Sequence, residues 1–209
     1  MANPSLPARR AVLFDFGGVL TTGVLAAFAE FGRELGDSRL PLRVVASDEQ
    51  GKNLLKAHEE GRIDQAVFER GLADRFAAHG AEVPASGLLR RMQAGLRPDS
   101  ATIDLVRRLR SQGWPVGLLS NSLGDDCYAG FDLPEMFDAV TISAEIGVRK
   151  PSREAYRIAC RRLGVRPEET VMVDDLEQNI AAAGRLGMAG VVHTDAVTTE
   201  AELTALLGH

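Results

Sequence analysis

The sequence predicts an α/β fold: a doubly wound parallel sheet with a helical insertion after its first strand. Three observations carry this. Short apolar runs of strand length recur along the chain and end in polar residues, as buried strands of a parallel sheet do. After Pro98 these runs alternate with helix-patterned segments, the pattern of βαβ units joined by right-handed crossovers. From about Thr22 to Leu96, by contrast, helical spacing dominates and strand signal is scarce.

Composition sets the outer bounds. A chain of 209 residues holds one large domain or one domain with an insertion, and 45% hydrophobic with 25% charged residues is ordinary for a globular protein. The net charge of −5 disfavours a general nucleic-acid binder, and no apolar run reaches membrane-spanning length. The two cysteines, Cys127 and Cys160, make neither a disulfide framework nor a zinc site, which points to a reducing, cytoplasmic setting. Met1 to Arg10 carries two prolines and two arginines without an apolar signal core, and reads as a loose tail.

The first strand is Ala11-Val12-Leu13-Phe14, followed by Asp15, Phe16 and the turn-forming pair Gly17-Gly18. The helical stretch follows. Val24, Leu25, Phe28 and Phe31 fall at helical spacing. Leu54, Leu55 and His58 follow, with Gly61 as a helix cap, and Phe68, Leu72 and Phe76 recur every four residues. Pro41 and Pro84 punctuate this region, which reads as four or five short helices. Thr102, Leu105, Val106 and Leu109 mark an amphipathic helix ending at Gly113. Trp114–Leu119 is the second strand, stopped by Ser120-Asn121-Ser122, and Ala139–Ile142 a weaker third. Pro151 is expected at the first position of a helix carrying Tyr156, Ala159, Cys160 and Leu163, which would put Lys150 at its cap. Glu169–Val173 is the fourth strand, ended by Asp174-Asp175. A helix marked by Ile180 and Ala183, a fifth strand at Gly190–His193 and a closing helix over Glu200–Leu207 complete the chain.

In a parallel sheet every carboxyl end faces the same way, so Asp15, Ser120-Asn121 and Asp174-Asp175 converge on one rim, with Lys150 facing it. These residue types suit phosphoryl transfer. A carboxylate such as Asp15 can attack phosphorus. Asp15 and Asp175 supply the one or two carboxylates that Mg²⁺ ordinarily takes beside a substrate phosphate. Ser120 and Asn121 can hold phosphoryl oxygens, and Lys150 can neutralise developing charge. Each also has an ordinary explanation. Ser-Asn is a common turn, Lys-Pro is usually on the surface, and Asp174 or Asp175 can cap a helix. Their joint occurrence in one α/β order is what favours the chemical reading.

Set together, FDFGGVL (Asp15), LLSNS (Ser120, Asn121), GVRKP (Lys150) and VMVDDLEQN (Asp174, Asp175, Asn179) resemble the four motifs of the haloacid dehalogenase superfamily. The likeness is to phosphatase-like members related to the N-terminal domain of soluble epoxide hydrolase. It runs from about Arg10 to the end of the chain. The resemblance implies a Rossmann-like core over 10–21 and 97–209, strand order 3-2-1-4-5, and a substrate-selecting helical cap over 22–96. It further implies Mg²⁺ and an aspartyl-phosphate intermediate on a small phosphorylated substrate. By position Asp15 is the nucleophile and a metal ligand, Asp175 the second carboxylate ligand with Asp174 a possible further one, and Gly17 a ligand through its carbonyl. Ser120, Asn121 and Lys150 are the phosphate-binding and catalytic partners.

One departure stands out. Family phosphatases usually carry an aspartate two residues after the nucleophile as general acid and base, and here that position is Gly17. General acid catalysis is commonly worth about 10²–10⁴-fold, so the alternatives widen. The chain can be a phosphatase borrowing a donor, with Thr21, Thr22 and His58 as weak candidates and His58 otherwise expected on a helix surface. It can run dehalogenase or phosphonatase chemistry, the latter on Lys52 or Lys56, although these read as exposed helical lysines. Or it can be a catalytically impaired ligand-binding or regulatory protein.

Overall fold

In the computed structural model, which describes residues 8–208, five parallel strands form one sheet in the order β3-β2-β1-β4-β5. They are β1 (Ala11–Phe14), β2 (Val116–Ser120), β3 (Ala139–Ile142), β4 (Thr170–Asp174) and β5 (Ala189–Val192). The first strand in sequence is thus the central one. β1, β2 and β4 are buried along their whole length, which is why they read as unbroken apolar runs rather than alternating ones.

Alternate residues still face opposite sides. Val12, Phe14, Val171 and Val173 pack against helices α6 (Ser100–Ser111), α7 (Leu133–Met136) and α11 (Ala196–Leu207). Leu13 and Met172 face α9 (Arg153–Leu163) and α10 (Glu177–Gly184). Thr102, Leu105, Val106 and Leu109 are buried as their spacing predicts, and Asp99 caps α6 by accepting from Thr102 N at 2.9 Å. At β5 a Cβ on Gly190 would stand 2.4 Å from Ile180 Cγ2, so α10 lies against bare backbone there.

Between β1 and α6 the chain forms α1 (Val24–Glu34), α2 (Leu40–Ala46), α3 (Glu49–Glu59), α4 (Gln65–Ala78) and α5 (Leu88–Met92). These helices share a separate apolar cluster that includes Phe28, Phe31, Phe68, Leu72 and Phe76. Asp48 and Asp64 cap α3 and α4, accepting from Gly51 N at 2.8 Å and Val67 N at 2.7 Å. The chain leaves and re-enters the sheet layer side by side. Asp99 N donates to Leu20 O at 2.8 Å, Thr22 N to Arg97 O at 2.8 Å, and Thr21 bridges Pro98 antiparallel.

Several local expectations need correction. Pro151 does not open α9. Its bond to Lys150 is cis, and the helix begins at Arg153 with Ser152 as its cap, so Lys150 lies in the preceding loop. Pro41 lies inside the first turn of α2 instead of separating helices, a position where its missing N–H is not needed. His58 is buried, stacked on Phe68 with ring centroids 4.5 Å apart, because α3 packs its last turn against α4. The four-residue helices α7 and α8 (Ser143–Ile146) carry too few residues for a period to be read. Residues 1–7 of the expected tail lie outside the described residues. Arg10 N donates to Glu169 O at 2.6 Å and Arg9 Nη1 to Gly187 O at 2.9 Å, so the tail does not extend to these two.

Candidate active site

The strand ends bring the expected groups together. Asp15 follows β1, its N–H donating to Val173 O at 2.9 Å, which extends the ladder with β4 and fixes the carboxylate beside Asp174. Lys150, 1% exposed, places its ammonium 2.6 Å from Asp15 Oδ1 and 2.6 Å from Asp174 Oδ2. Asp174 is fully buried and saturated. Its Oδ1 accepts from Leu176 N at 2.9 Å and Asn179 Nδ2 at 2.9 Å, and its Oδ2 accepts from Asn179 Nδ2 at 3.1 Å as well as from the lysine. Asp15, Asp174 and Asp175 each offer an oxygen within 4.8 Å of the others. Asp15 and Asp175 line the cavity above the rim, whereas Asp174 does not.

Gly18 makes room for Asp175. It has φ +78°, and a Cβ there would meet Asp175 Oδ2 at 2.3 Å. Gly17 is confined differently, because a Cβ on it would stand 2.9 Å from Val24 Cγ2 at the start of α1. The space that a side chain at 17 would enter is held by that helix.

Three carboxylates and one ammonium leave the cluster with two negative charges. Burial, reinforced by Asp174, raises the Asp15 carboxyl to about 7 in spite of Lys150, and burial with Asp174 likewise raises Asp175 to about 6. Burial also penalises the charged lysine, but Asp15 and Asp174 outweigh it and hold Lys150 above the ordinary lysine value. A hard divalent cation is the group this oxygen-rich, under-compensated cluster fits.

Asn121 enters the site through the lysine. Its Oδ1 accepts from Lys150 N at 2.8 Å and its Nδ2 donates to Lys150 O at 3.1 Å, clamping that residue's backbone. Ser120 lines the cavity, and its Oγ accepts from Tyr128 OH at 2.9 Å. Tyr128 is a partner that no pattern in the sequence marks. Others are Glu59 and Arg149, which pair across the cavity wall. Of the weak donor candidates, Thr21 lines the cavity but its Oγ1 accepts from Gly18 N at 3.2 Å and donates to Thr22 O at 3.1 Å. Thr22 Oγ1 accepts from Arg97 N at 3.1 Å, and His58 does not reach the cavity. Lys52 and Lys56 stand exposed at its edge, Lys52 paired with Glu49 at 2.6 Å.

Above the carboxylates the cavity measures about 820 Å³. Val24, Leu25, Phe28, Leu42, Val45 and Leu55 line its upper part. Leu25 fits the helical spacing yet is 52% exposed, because it faces this space and not the apolar cluster.

The family model for haloacid dehalogenase-like hydrolases matches residues 9–187. The chain belongs to this family. The sesquiterpene phosphatase astK of Aspergillus oryzae is 29% identical over 202 residues, covering 95% of this chain and 97% of that protein. The phosphoserine phosphatase of Thermus thermophilus is 28% identical, covering 91% and 83%. A HAD family enzyme of Bacteroides thetaiotaomicron, solved with magnesium and inorganic phosphate, superposes with a TM-score of 0.64 at 23% identity over 89% of this chain and 94% of that one. The chain is therefore a HAD-like hydrolase with phosphatases among its relatives. Among the described residues no helix is long and apolar enough to cross a membrane.

Proposed function

We propose that this hydrolase is a Mg²⁺-dependent phosphatase that cleaves monoesters of phosphate with an apolar alcohol. The observation that carries the reading is the Asp15–Lys150–Asp174–Asp175 cluster beside a cavity to which the helices contribute Val24, Leu25, Phe28, Leu42, Val45 and Leu55, with Lys52 and Lys56 at its edge. The relation to a sesquiterpene phosphatase supports the apolar substrate. The acidic trio favours metal-assisted phosphoryl transfer over haloacid dehalogenation, which needs no paired aspartates after the fourth strand.

Asp15, Asp175 and the Gly17 carbonyl would hold the Mg²⁺, with Asp174 in the cluster but spent on Lys150 and Asn179. When bound, the ion neutralises charge on the transferring phosphoryl group. Asp15 attacks phosphorus as the nucleophile and carries the aspartyl phosphate. Lys150 pairs with Asp174 and supplies positive charge at the phosphoryl oxygens. Ser120 offers its hydroxyl to the same oxygens, and Asn121 fixes where the lysine stands. Residues 22–96 act as a cap that selects the ester through the apolar side chains they contribute to the cavity. The sheet layer, 10–21 with 97–209, carries the chemistry.

The test is a panel of phosphate esters graded from polar to long-chain alkyl, run with Mg²⁺ and with EDTA. Release should be greatest for the apolar esters, absent in EDTA and absent in Asp15→Asn. Equal release in EDTA counts against the metal, and a preference for polar esters against the substrate class.

A further inference from the structure

A phosphatase with glycine two residues after its nucleophile has no proton donor on that loop, and here Val24 fills the space such a donor would need. The cavity contains another carboxyl. Glu59, in the last turn of α3, is 8% exposed, and it lines the same cavity as Asp15, Ser120 and Lys150. It belongs to the helical layer, and its backbone is tied to the sheet layer. Ser143 Oγ donates to the Glu59 carbonyl and itself accepts from Ser122 N at 2.8 Å, just beyond the end of β2. Two residues on, Gly61 lies so close to α8 that a Cβ would stand 2.5 Å from Ala144 O. The Arg149 guanidinium lies against Glu59 Oε2 without the angular geometry of a hydrogen bond. Arg149 adjoins Lys150, whose ammonium touches the nucleophile.

We infer that Glu59 is the general acid and base of this active site, taking the role that Gly17 has vacated. The inference rests on the phosphatase reading. In the first step the bond from Asp15 to phosphorus forms, the bond from phosphorus to the ester oxygen breaks, and the Glu59 proton passes to that oxygen, releasing a neutral alcohol. The resulting Glu59 carboxylate stays paired with Arg149. In the second step Glu59 takes a proton from water as the water oxygen bonds to phosphorus. The acyl-phosphate bond breaks, freeing phosphate and returning Asp15 as a carboxylate and Glu59 as an acid.

The surroundings suit this cycle. The charged groups acting on Glu59 are Arg149 and Lys150 from the loop before Pro151 and Glu60 beside it, while Glu145 of α8 turns toward Arg162 at 3.8 Å. Burial outweighs the two cations and raises the Glu59 carboxyl to about 7, so near neutral pH it can both give and take a proton.

The experiment compares Glu59→Gln with wild type on an alkyl phosphate and on p-nitrophenyl phosphate, whose leaving group departs without a proton. The variant should lose about 10²–10⁴-fold in kcat/KM on the alkyl ester. It should retain a rapid burst of p-nitrophenolate, followed by slow turnover as the aspartyl phosphate accumulates. The wild-type rate on the alkyl ester should fall as pH rises past about 7, as the acid is lost. Arg149→Met should move that descending limb to higher pH, a shift that also serves should the glutamine variant not fold. Alkyl turnover within a few-fold of wild type, loss of the burst, or an unmoved limb in Arg149→Met overturns the assignment. A wild-type protein without Mg²⁺-dependent release overturns the phosphatase reading and this role with it, whereas an active wild type with an unselective variant overturns the role alone.

Discussion

Replacing Lys150 by methionine keeps the volume of the side chain and removes the one ammonium shared by Asp15 and Asp174, each 2.6 Å away. Breaking a buried ion pair by removing one partner costs about 3–5 kcal/mol. The cost is capped by protonation, since neutralising a carboxylate of ordinary affinity takes about 1.4 kcal/mol for each pH unit above its unfolded value. At pH 5 Asp15, with its carboxyl raised to about 7, is already protonated, and the lysine has one carboxylate fewer to neutralise. The loss there should be about 2 kcal/mol, against about 4–5 kcal/mol at pH 7.5. The sign follows from proton counting. With the cation gone, the folded-state carboxylates titrate above their unfolded values, the native state binds more protons across that interval, and stability falls as pH rises through it. Urea titrations of wild type and variant at both pH values, in EDTA, measure the difference. An equal loss at the two pH values, or a larger one at pH 5, refutes the reasoning. The double variant carrying Asp174→Asn as well should recover much of the stability at pH 7.5 and none of the activity.

Gly18→Ala should weaken Mg²⁺ activation and cost about 1–2 kcal/mol for its left-handed backbone alone, because the new Cβ displaces Asp175; an unchanged Mg²⁺ dependence of phosphate release would contradict this. Asn121→Ala frees the Lys150 backbone on both sides and should lower kcat at least ten-fold while costing only about 1–3 kcal/mol in a urea melt. In metal-free protein Asp15 and Asp175 are raised to about 7 and 6, so stability contributed by their protonation is lost as pH climbs from about 4 to 7; Mg²⁺ competes with those protons and should raise Tm more at pH 8 than at pH 5.5. Leu25→Ser should raise KM for long-chain esters and leave p-nitrophenyl phosphate nearly unaffected, which steady-state kinetics on the two substrates would reveal.

The sheet was legible in the sequence because burial on both faces writes itself as continuous apolar runs, and all five strands fall within two residues of where those runs stand. The convergence of Asp15, Ser120 and Asp175 followed from topology alone, since parallel strands end on one rim, whereas Lys150 reaches it from a loop and not from the helix cap its neighbour Pro151 suggested. Pairings made across the chain were not legible. Asn121 reads as a turn residue until its amide is found on the Lys150 backbone, 29 positions away. Glu59 and Glu60 look alike in a helix end rich in charge, and only the packing of α3 on α8 buries Glu59 more completely. His58 misleads for the same reason, as its helix turns it against Phe68 and not toward water.

The central place of β1 has a consequence for how the chain is made. Val12 pairs with Val116, so 104 residues of synthesis separate the first strand from its first ladder partner. At about 5–20 residues per second the ribosome takes roughly 5–20 s over that interval. During this time β1 is an apolar segment with both edges open. The apolar cluster of α1–α5, by contrast, draws its buried residues from Phe28 to Met92 and can close as soon as α5 emerges. The helical layer is thus placed to fold first, tethering β1 close to the point where β2 will arrive, because Leu20–Thr22 and Arg97–Asp99 run side by side. An insertion that reads as an interruption of the sheet in space serves, in time, as its scaffold.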